Sequence, residues 1–485
     1  MRVLFVVAEV VPFAKTGGLA DVAGALPPAL HDLGLDVRLL TPRYAMVDPS
    51  RHGLNRVGEV SVSIGGRAET AEVWEGNLAG KVPVWFLDHP GYYGRPGIYG
   101  EGGRDYEDNL ARFTCLCRAA LNWVRGYGWI PDVFHCHDWH AALLPVYMDT
   151  VEREDPALRR TATLFTIHNL AYQGIFPRDQ LPVTGLSEEV YWSHLEFYGS
   201  INLMKGALLS ADLLNTVSET YAREIQTPEF GYGLDGVLRM RGQDLYGVLN
   251  GVDYSVWDPQ VDPYIPARYG PEDLSGKRVC KLALQAEFGL AEDPHVPLLG
   301  MVTRLVDQKG LDLVWACLDR MVAAGAQFVL LGTGDPRYEA AFTEAARRHP
   351  RRVGVRIGFD EGLAHRVEAG CDIFLMPSRF EPSGLNQLYS LRYGTVPIVR
   401  ATGGLADSIV DATPEAISRG EANGFVFEAY TPDALWEAIR RALDVFRNPT
   451  LWRTLMQVGM QADFSWNRSA RRYVELYERA CAKKR

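Results

Sequence analysis

The sequence predicts an α/β protein with two doubly wound domains, each built on a parallel sheet. Three observations lead to this fold class. The chain has 485 residues, which is too long for one hydrophobic core. Short β-branched runs alternate with helical stretches, as in repeated β-α-β units. The hexapeptide TGGLAD occurs at 16–21 and again at 402–407, each time after a predicted strand and before a predicted helix.

The composition indicates a soluble globular protein. Hydrophobic residues make up 47% of the chain and charged residues 23%, and no low-complexity tract interrupts them. The net charge of −10 argues against nucleic acid or an anionic membrane as the main partner. A neutral polymer or a small ligand is therefore the expected partner.

Nothing in the sequence predicts export or membrane insertion. The apolar run at 3–8 is short, Glu9 ends it, and no cleavage site of small residues follows. No stretch approaches the roughly 18 apolar residues that indicate a membrane span. The seven cysteines are odd in number and lack CxxC spacing, which predicts reduced thiols in a cytoplasmic protein.

Strands are predicted in both halves of the chain. In the first half they cover 3–8, 36–41, 82–87, 133–136, 163–167, 213–217 and 246–249. In the second half they cover 297–302, 327–331, 353–357, 373–376, 396–399 and 424–427. The predicted domains are 1–250 and 297–460, with a proline-containing linker at 251–296 and an amphipathic helix at 461–485 that packs back on the first domain.

The first glycine turn is a candidate anion site. Gly17 and Gly18 precede a predicted helix at 19–30, where free N–H groups and the helix dipole favour negative charge, and Lys15 adds a cation. The turn matches neither GxGxxG nor GK[ST], which disfavours nicotinamide cofactors and ATP hydrolysis. A turn that is only structural is the alternative for both copies.

The second domain supplies further candidates. Arg304 ends a predicted strand and Lys309 enters the next helix, a spacing that suits one diphosphate. The alternative is two ordinary surface cations. Glu381 lies on a loop before a helix predicted to start at 384–388. A carboxylate is unsuited to an anion site, so sugar hydroxyls are its expected ligands.

Two polar clusters follow strands of the first domain, HCHDWHAALLP at 135–145 and TLFTIHNLAYQG at 163–174. Zinc is disfavoured as their ligand, because adjacent strand residues point to opposite faces and no second ligand pair lies nearby. Asp138 and His168 are instead expected to bind a hydroxyl-rich ligand, with Trp139 stacking on a sugar face.

A glycine- and tyrosine-rich loop at 90–109 precedes these clusters. Tyrosine combines an apolar face with a hydroxyl, which suits carbohydrate. The predicted acceptor-binding residues are therefore Tyr92, Tyr93, Tyr99 and Trp139. A solvated loop without a ligand is the alternative.

Together the motifs resemble the bacterial glycogen synthase and plant starch synthase family. They are KTGGLADV, HDWHA, TIHNLAYQG, LNGVD, TRLVDQKGLDLV and SRFEPSGLNQLYSLRYGTVPIVRATGGLAD, followed by a final DFSW, and they cover almost the whole chain in order. The resemblance implies the GT-B fold, two Rossmann-like domains facing across a deep cleft. It also implies transfer of glucose from ADP-glucose to the non-reducing end of an α-1,4-glucan with retained configuration, without a metal or other cofactor.

The resemblance assigns roles to individual residues. Arg304 and Lys309 match the pair that holds the donor diphosphate, and Glu381 matches the glutamate of the EPCGL motif. His168 matches the family's histidine at a strand end, and Asp138 matches an aspartate of the sugar pocket. The predicted catalytic residues are therefore His168, Glu381, Arg304, Lys309 and Asp138. The predicted donor-binding residues are Lys15, Gly17, Gly18, Asn250, Gly384, Leu385, Thr402 and Gly403.

Two positions depart from the family pattern. Ser383 stands where the EPCGL motif has cysteine, and Phe359 stands where tyrosine is usual. The second change leaves the preference between ADP-glucose and UDP-glucose open. Front-face substitution through an oxocarbenium-like state is favoured over double displacement, because no covalent nucleophile is evident. The alternatives are a UDP-glucose-dependent GT-B synthase, a non-catalytic glucan-binding protein and a pyridoxal-phosphate-dependent phosphorylase.

Overall fold

The computed structural model describes residues 1–484, which form two units. The first unit comprises Met1–Gly251 and the segment from Trp466 onward, and the second comprises Val252–Ser465. The strands of the first unit are β1 (Arg2–Val6), β2 (Asp36–Pro42), β3 (Asn55–Ile64), β4 (Arg67–Leu78), β5 (Val82–Asp88), β6 (Gly100–Glu101), β7 (Arg104–Asp105), β8 (Val133–His137), β9 (Ala162–Ile167), β10 (Ile175–Pro177), β11 (Glu196–Phe197), β12 (Ser200–Asn202), β13 (Leu213–Thr216) and β14 (Leu245–Gly247). Those of the second are β15 (Leu298–Val302), β16 (Gln327–Gly332), β17 (Val353–Ile357), β18 (Ile373–Met376), β19 (Val396–Arg400) and β20 (Phe425–Phe427).

The helices cover the faces of the two large sheets. In the first unit they are α1 (Gly18–Asp32), α2 (Pro90–Tyr93), α3 (Asn109–Tyr127), α4 (Leu143–Asp149), α5 (Leu181–Thr184), α6 (Glu188–Val190), α7 (Leu203–Ser210), α8 (Glu219–Glu224) and α9 (Asp235–Met240). In the second they are α10 (Ser275–Glu287), α11 (Leu311–Ala323), α12 (Pro336–Arg348), α13 (Glu361–Gly370), α14 (Asn386–Arg392), α15 (Gly403–Ser408), α16 (Pro414–Ser418), α17 (Pro432–Phe446) and α18 (Pro449–Gln461). The last helix, α19 (Trp466–Ala482), belongs to the first unit.

The large sheet of the first unit has nine strands in the order β14-β13-β9-β8-β1-β2-β5-β4-β3. Pairing is parallel from β14 to β5, whereas β4 and β3 form an antiparallel hairpin at the edge. All seven strands predicted for this half are present within two residues of their predicted bounds. The hairpin was not predicted, although Gly65 and Gly66, both at positive φ, are a recognisable signal for a two-residue hairpin turn.

The second unit is built on a six-stranded sheet in the order β17-β16-β15-β18-β19-β20. Every neighbouring pair is parallel. Counted along this unit the order is 3-2-1-4-5-6, the arrangement of doubly wound dinucleotide-binding sheets. All six predicted strands are present within one residue of their predicted bounds.

The C-terminal helix α19 completes the core of the first unit. Trp466, Ala470, Tyr473 and Tyr477 are buried in the cluster that also contains Val22 of α1. The hydroxyl of Tyr477 lies 2.8 Å from Nδ1 of His135, so the helix also reaches the strands beneath it. Its apolar face is thus covered by residues from the beginning of the chain.

The segment predicted as a linker at 251–296 is, from Val252 onward, part of the second unit. It contains α10, and its residues Tyr269 and Cys280 are buried against Tyr393. The ring of Trp257 stacks between His365 and Tyr389, with centroid distances of 3.7 and 4.0 Å. Prolines interrupt regular structure in packed segments as well as in linkers, and here the segment is packed.

None of the helices within residues 1–484 is both long and apolar enough to cross a bilayer.

Candidate active site

In each unit, some of the predicted site residues follow the two strands at which the sheet's winding order reverses. In doubly wound sheets, ligands bind outside the carboxyl ends of the strands at this point. In the first unit the reversal lies between β1 and β8, which precede Lys15 and Asp138. In the second it lies between β15 and β18, which precede Arg304 and Glu381.

The glycine turn of the first unit is organised by Glu9, a residue not predicted as part of the site. The buried Glu9 carboxylate accepts hydrogen bonds from the backbone N–H groups of Thr16 and Gly17, from the Thr16 hydroxyl at 2.7 Å, and from the hydroxyl of Tyr99. The prediction of free N–H groups is therefore wrong at Gly17, because the Gly17 N–H already donates a hydrogen bond to the Glu9 carboxylate. Gly18 begins α1 and is exposed, so it still offers an open approach.

Lys15 lies at the surface beside this turn. Its side chain is 50% exposed, and its ammonium lies 2.7 Å from the Asp21 carboxylate in the first turn of α1. An exposed ion pair of this kind contributes about 0.2–1 kcal/mol, so a phosphate can compete for the ammonium.

Asp138 combines backbone strain with a perturbed carboxyl group. Its φ of 55° and ψ of −176° lie in a region that is almost confined to glycine. One carboxylate oxygen accepts the backbone N–H of His168 at 2.8 Å. Burial raises the pKa of Asp138 to about 7, although hydrogen bonds from the backbone of His168 and Asn169 act in the opposite direction. Strain and a raised pKa at a strand end are both typical of functional positions.

His168 follows β9 and is neutral at pH 7, because burial lowers its pKa to about 3. Its Nε2 lies 2.9 Å from Nδ1 of His137, a buried residue that the prediction treated only as a disfavoured zinc ligand. A neutral imidazole at this position is able to exchange hydrogen bonds with hydroxyl groups.

The neighbouring histidines serve the packing of the first unit. His135 is bonded to the Thr166 hydroxyl at 2.6 Å and to Tyr477, and His140 stacks on Tyr99 with a centroid distance of 4.6 Å. Within residues 1–484, no group of three or more His, Cys, Asp or Glu side chains is arranged to hold a metal ion.

The predicted acceptor-binding aromatics are packed more tightly than a flexible loop would allow. Tyr93 is completely buried and its hydroxyl donates to the Arg112 carbonyl at 2.6 Å, so its assignment to acceptor binding is wrong. Tyr92 stacks on His89, and the ring of Trp139 lies close beneath Gly174. The side chains of Tyr92, Tyr99 and Trp139 are half-buried and remain candidates.

Asn250 lies just beyond β14 and is 5% exposed. Its amide oxygen is buried and has no hydrogen-bond partner within residues 1–484. A buried acceptor without a partner costs free energy unless a ligand or water supplies a donor, which agrees with its predicted place in a ligand pocket.

In the second unit, a cavity of about 170 Å³ lies between the ends of β15 and β18. It brings together five of the predicted residues, namely Arg304, Lys309, Glu381, Gly384 and Leu385. The Lys309 ammonium lies 2.6 Å from the Glu381 carboxylate, which also accepts the Ser378 hydroxyl at 2.9 Å. The cavity thus presents two cations and one well-held carboxylate.

The second TGGLAD copy supports the loop that carries Glu381. The N–H of Gly404 donates to the Glu381 carbonyl at 3.1 Å. A Cβ at Gly403 would lie 1.9 Å from that same carbonyl oxygen. Thr402 and Gly403 are buried and do not line the cavity, so the geometry does not support their predicted contact with the donor.

The two copies of the turn should respond differently to the same substitution. A Cβ at Gly404 would lie 1.9 Å from the Ser383 carbonyl oxygen, whereas the equivalent Gly18 has no atom within 4 Å. Gly404→Ala is expected to lower the free energy of unfolding by about 1–3 kcal/mol or more, and Gly18→Ala to change it by less than about 1 kcal/mol. Denaturant unfolding of the two variants measures this. Equal losses in both would contradict the assigned packing.

Comparisons with known proteins agree with this geometry. A family model described as the starch synthase catalytic domain matches residues 2–240, and one described as glycosyl transferases group 1 matches residues 285–445. A glycogen synthase from Anaeromyxobacter dehalogenans (strain 2CP-1) is 54% identical over 98% of this chain and 98% of its own length. A glycogen synthase from Geotalea daltonii is 48% identical over 100% of both chains.

A solved structure extends the match to the fold. The catalytic domain of starch synthase IV from Arabidopsis thaliana, bound to ADP and acarbose, superposes with a TM-score of 0.91. It is 35% identical in sequence, and 99% of each chain is covered. The predicted GT-B class, with two Rossmann-like units, is confirmed. Because it aligns with glycogen synthases along its whole length and folds as a starch synthase catalytic domain does, the chain belongs to the glycogen and starch synthase family of glycosyltransferases.

Proposed function

We propose that the protein transfers glucose from ADP-glucose to the non-reducing end of an α-1,4-glucan, with retained configuration and without a metal or other cofactor. The observation that carries this proposal is the cavity at the winding reversal of the second unit, where Arg304 and Lys309 lie beside Glu381. Such a site suits a diphosphate attached to a sugar, because cations and a hydroxyl-binding carboxylate are adjacent.

Arg304 and Lys309 would stabilise the departing nucleoside diphosphate. Charge grows on this leaving group in the transition state, and cations held in place beforehand stabilise it at little reorganisation cost. Lys309 uses one of its three N–H donors on Glu381, so two remain for phosphate oxygens. Arg304 is exposed, and its guanidinium has no hydrogen bond or ion pair within the described residues.

Glu381 would bind glucose hydroxyls rather than attack the anomeric carbon. Its carboxylate is held by Lys309 and Ser378, which suits a hydrogen-bonding role. We therefore favour front-face substitution, in which the acceptor hydroxyl attacks on the side from which the diphosphate leaves. Glucose transferred in this way retains its configuration.

The first unit would bind the sugar with His168, Asp138 and Asn250. His168 is neutral, so it adds no positive charge beside a sugar that is itself gaining positive charge. The Asp138 carboxyl has a pKa of about 7 and is able to accept or donate a proton near neutral pH. Lys15 would add a cation for the donor phosphates, while Tyr92, Tyr99 and Trp139 are the aromatic candidates for the glucan acceptor.

The experiment that tests the proposed function is an assay with short maltooligosaccharides and either ADP-glucose or UDP-glucose. It follows release of nucleoside diphosphate together with chain length. Chain growth with a strong ADP-glucose preference is the expected result. Chain growth mainly with UDP-glucose would agree with the proposed mechanism but contradict the proposed donor. No release of nucleoside diphosphate from either sugar nucleotide would overturn the proposal.

Phe359 is the candidate for recognition of the base. It follows β17 and its side chain is 84% exposed, which is unusual for a phenylalanine that has no ligand. Stacking of a base on an aromatic ring contributes about 1–3 kcal/mol. Phe359→Ala is therefore expected to raise the KM for ADP-glucose by roughly 5- to 100-fold. The KM of Phe359→Tyr is expected to stay close to that of the wild type, because the ring is retained.

A matched control for this prediction is Val410→Ala, which removes another exposed apolar side chain of the same unit. Initial rates across a range of ADP-glucose concentrations give KM for all three variants. A KM for Phe359→Ala equal to that of Val410→Ala would show that this ring does not contact the base.

A further inference from the structure

His137 lies directly behind His168, the proposed catalytic histidine. It is the last residue of β8 and is completely buried. β8 and β9 pair in parallel with His137 opposite Thr166, two residues before His168. This register brings Nδ1 of His137 to 2.9 Å from Nε2 of His168. The contact is therefore set by the sheet and does not depend on a flexible loop.

One shared proton joins the two rings. Burial lowers the pKa of both histidines, and the nearby His135 and His168 lower that of His137 further. Two neutral imidazoles joined by one hydrogen bond must consist of one donor and one acceptor. The direction of this hydrogen bond determines whether the other nitrogen of His168, Nδ1, carries a proton when a ligand binds.

The other nitrogen of His137 distinguishes the two arrangements. Its Nε2 is buried and has no hydrogen-bond partner within residues 1–484. If His168 were the donor, this Nε2 would be a buried, unpaired N–H group. If His137 is the donor, Nε2 is only an unpaired acceptor. Among buried backbone groups, orphaned N–H donors are rarer than under-satisfied acceptors, and the same preference favours His137 as the donor.

We propose that His137 is a positioning residue whose Nδ1–H donates to Nε2 of His168, so that His168 presents Nδ1–H to an oxygen of the bound sugar. The inference deepens the proposed function, and its catalytic part rests on that function. The arrangement provides a hydrogen-bond donor for a glucose hydroxyl while the ring stays uncharged. A protonated imidazolium at the same position would oppose the positive charge that develops on the sugar.

The tautomer is measurable without any substrate. Two-bond ¹H–¹⁵N correlation spectra of the full-length chain, labelled with ¹⁵N-histidine, identify which ring nitrogen carries the proton, and loss of a signal in His168→Gln assigns it. The expected result is a neutral His168 protonated on Nδ1 at pH 7. Protonation on Nε2 would overturn the inference.

Two variants of His137 test the role in transfer. His137→Asn places an amide N–H near the original Nδ1, whereas His137→Phe fills a similar volume without a donor. His137→Phe is expected to lower kcat roughly tenfold and to shift the His168 tautomer, while His137→Asn restores most of the activity. Wild-type kcat in His137→Phe would overturn the inference.

The matched control is His135→Phe. His135 lies next to His137, with ring centroids 4.0 Å apart, but it is bonded to Thr166 and Tyr477 rather than to His168. This variant is expected to lose stability and to retain kcat per folded molecule, with the folded fraction taken from circular dichroism. An equal fall in kcat for His135→Phe and His137→Phe would overturn the inference, since a general packing defect would then explain both. An inactive wild type would overturn the proposed function, while the spectra report the tautomer independently.

Discussion

Replacing either Arg304 or Lys309 with alanine is expected to lower kcat with ADP-glucose by about 10²- to 10³-fold, the usual effect of removing one preorganised group that stabilises transition-state charge. Both side chains line the cavity at the winding reversal of the second unit. The leaving diphosphate gains negative charge as the bond between glucose and phosphate breaks. These cations therefore stabilise the transition state more than the bound ground state. KM should therefore change less than kcat.

Lys309→Ala also leaves the buried Glu381 carboxylate without its cation, so stability must be measured beside activity. The control is Arg320→Ala, which removes an exposed arginine of the same unit whose partner is the exposed Asp433. Steady-state kinetics on the folded fraction of each variant provide the comparison. Near-normal kcat in Arg304→Ala or Lys309→Ala would contradict the diphosphate assignment.

The second large effect is expected on stability in mild acid. Burial lowers the pKa of four histidines of the first unit, so an unfolded chain binds protons below about pH 6.5 that the folded chain does not. Unfolding then takes up protons, and the free energy of unfolding falls as the pH falls. Each such histidine contributes about 1.4 kcal/mol per pH unit. The four are His135, His137, His140 and His168.

Two buried acids act in the opposite direction. Burial raises the pKa of Asp138 to about 7 and that of Glu368 to about 8, so each holds a proton in the folded chain that the unfolded chain releases above about pH 4. Their contribution to stability therefore grows as the pH falls. In the first unit, four histidines oppose one acid, so a net loss of stability is expected as the pH falls from 6 to 5.

Hydrogen exchange measured by mass spectrometry tests this in the core strands β1 and β8 from pH 8 to 5, after correction for the intrinsic exchange rate. Protection should fall steeply below pH 6.5. Replacing the buried His135 with phenylalanine should make this dependence shallower. Protection that stays constant from pH 8 to 5 would contradict the prediction.

The sequence predicted the parallel strands well because most of them are short apolar runs that are buried in their sheet, such as β1, β8, β9, β16 and β18. The edge hairpin of β3 and β4 was not predicted. Val60, Val62 and Ile64 alternate with polar residues, a pattern that indicates a half-buried strand, so the sequence does carry a signal for this hairpin. The cations of the second unit were found because they directly follow a strand whose position was correct.

Contacts between distant residues account for the errors at the site. Glu9 binds the hydroxyl of Tyr99, 90 positions away, and Tyr93 donates to a carbonyl 19 positions later. Neither contact leaves a local pattern in the sequence. The two TGGLAD copies are identical in sequence but differ in their contacts. An N–H of the first copy donates to the side-chain carboxylate of Glu9, whereas an N–H of the second donates to the backbone carbonyl of Glu381.

The backbone conformation of Asp138 has a consequence for laboratory evolution of this protein. Glycine adopts its φ of 55° without strain and would also remove a carboxyl group that is costly to ionise when buried. A screen that rewards heat resistance alone would therefore enrich glycine here and discard a proposed catalytic group. A selection for thermostability should therefore also require glucan synthesis, or the library should leave the codon for Asp138 unchanged.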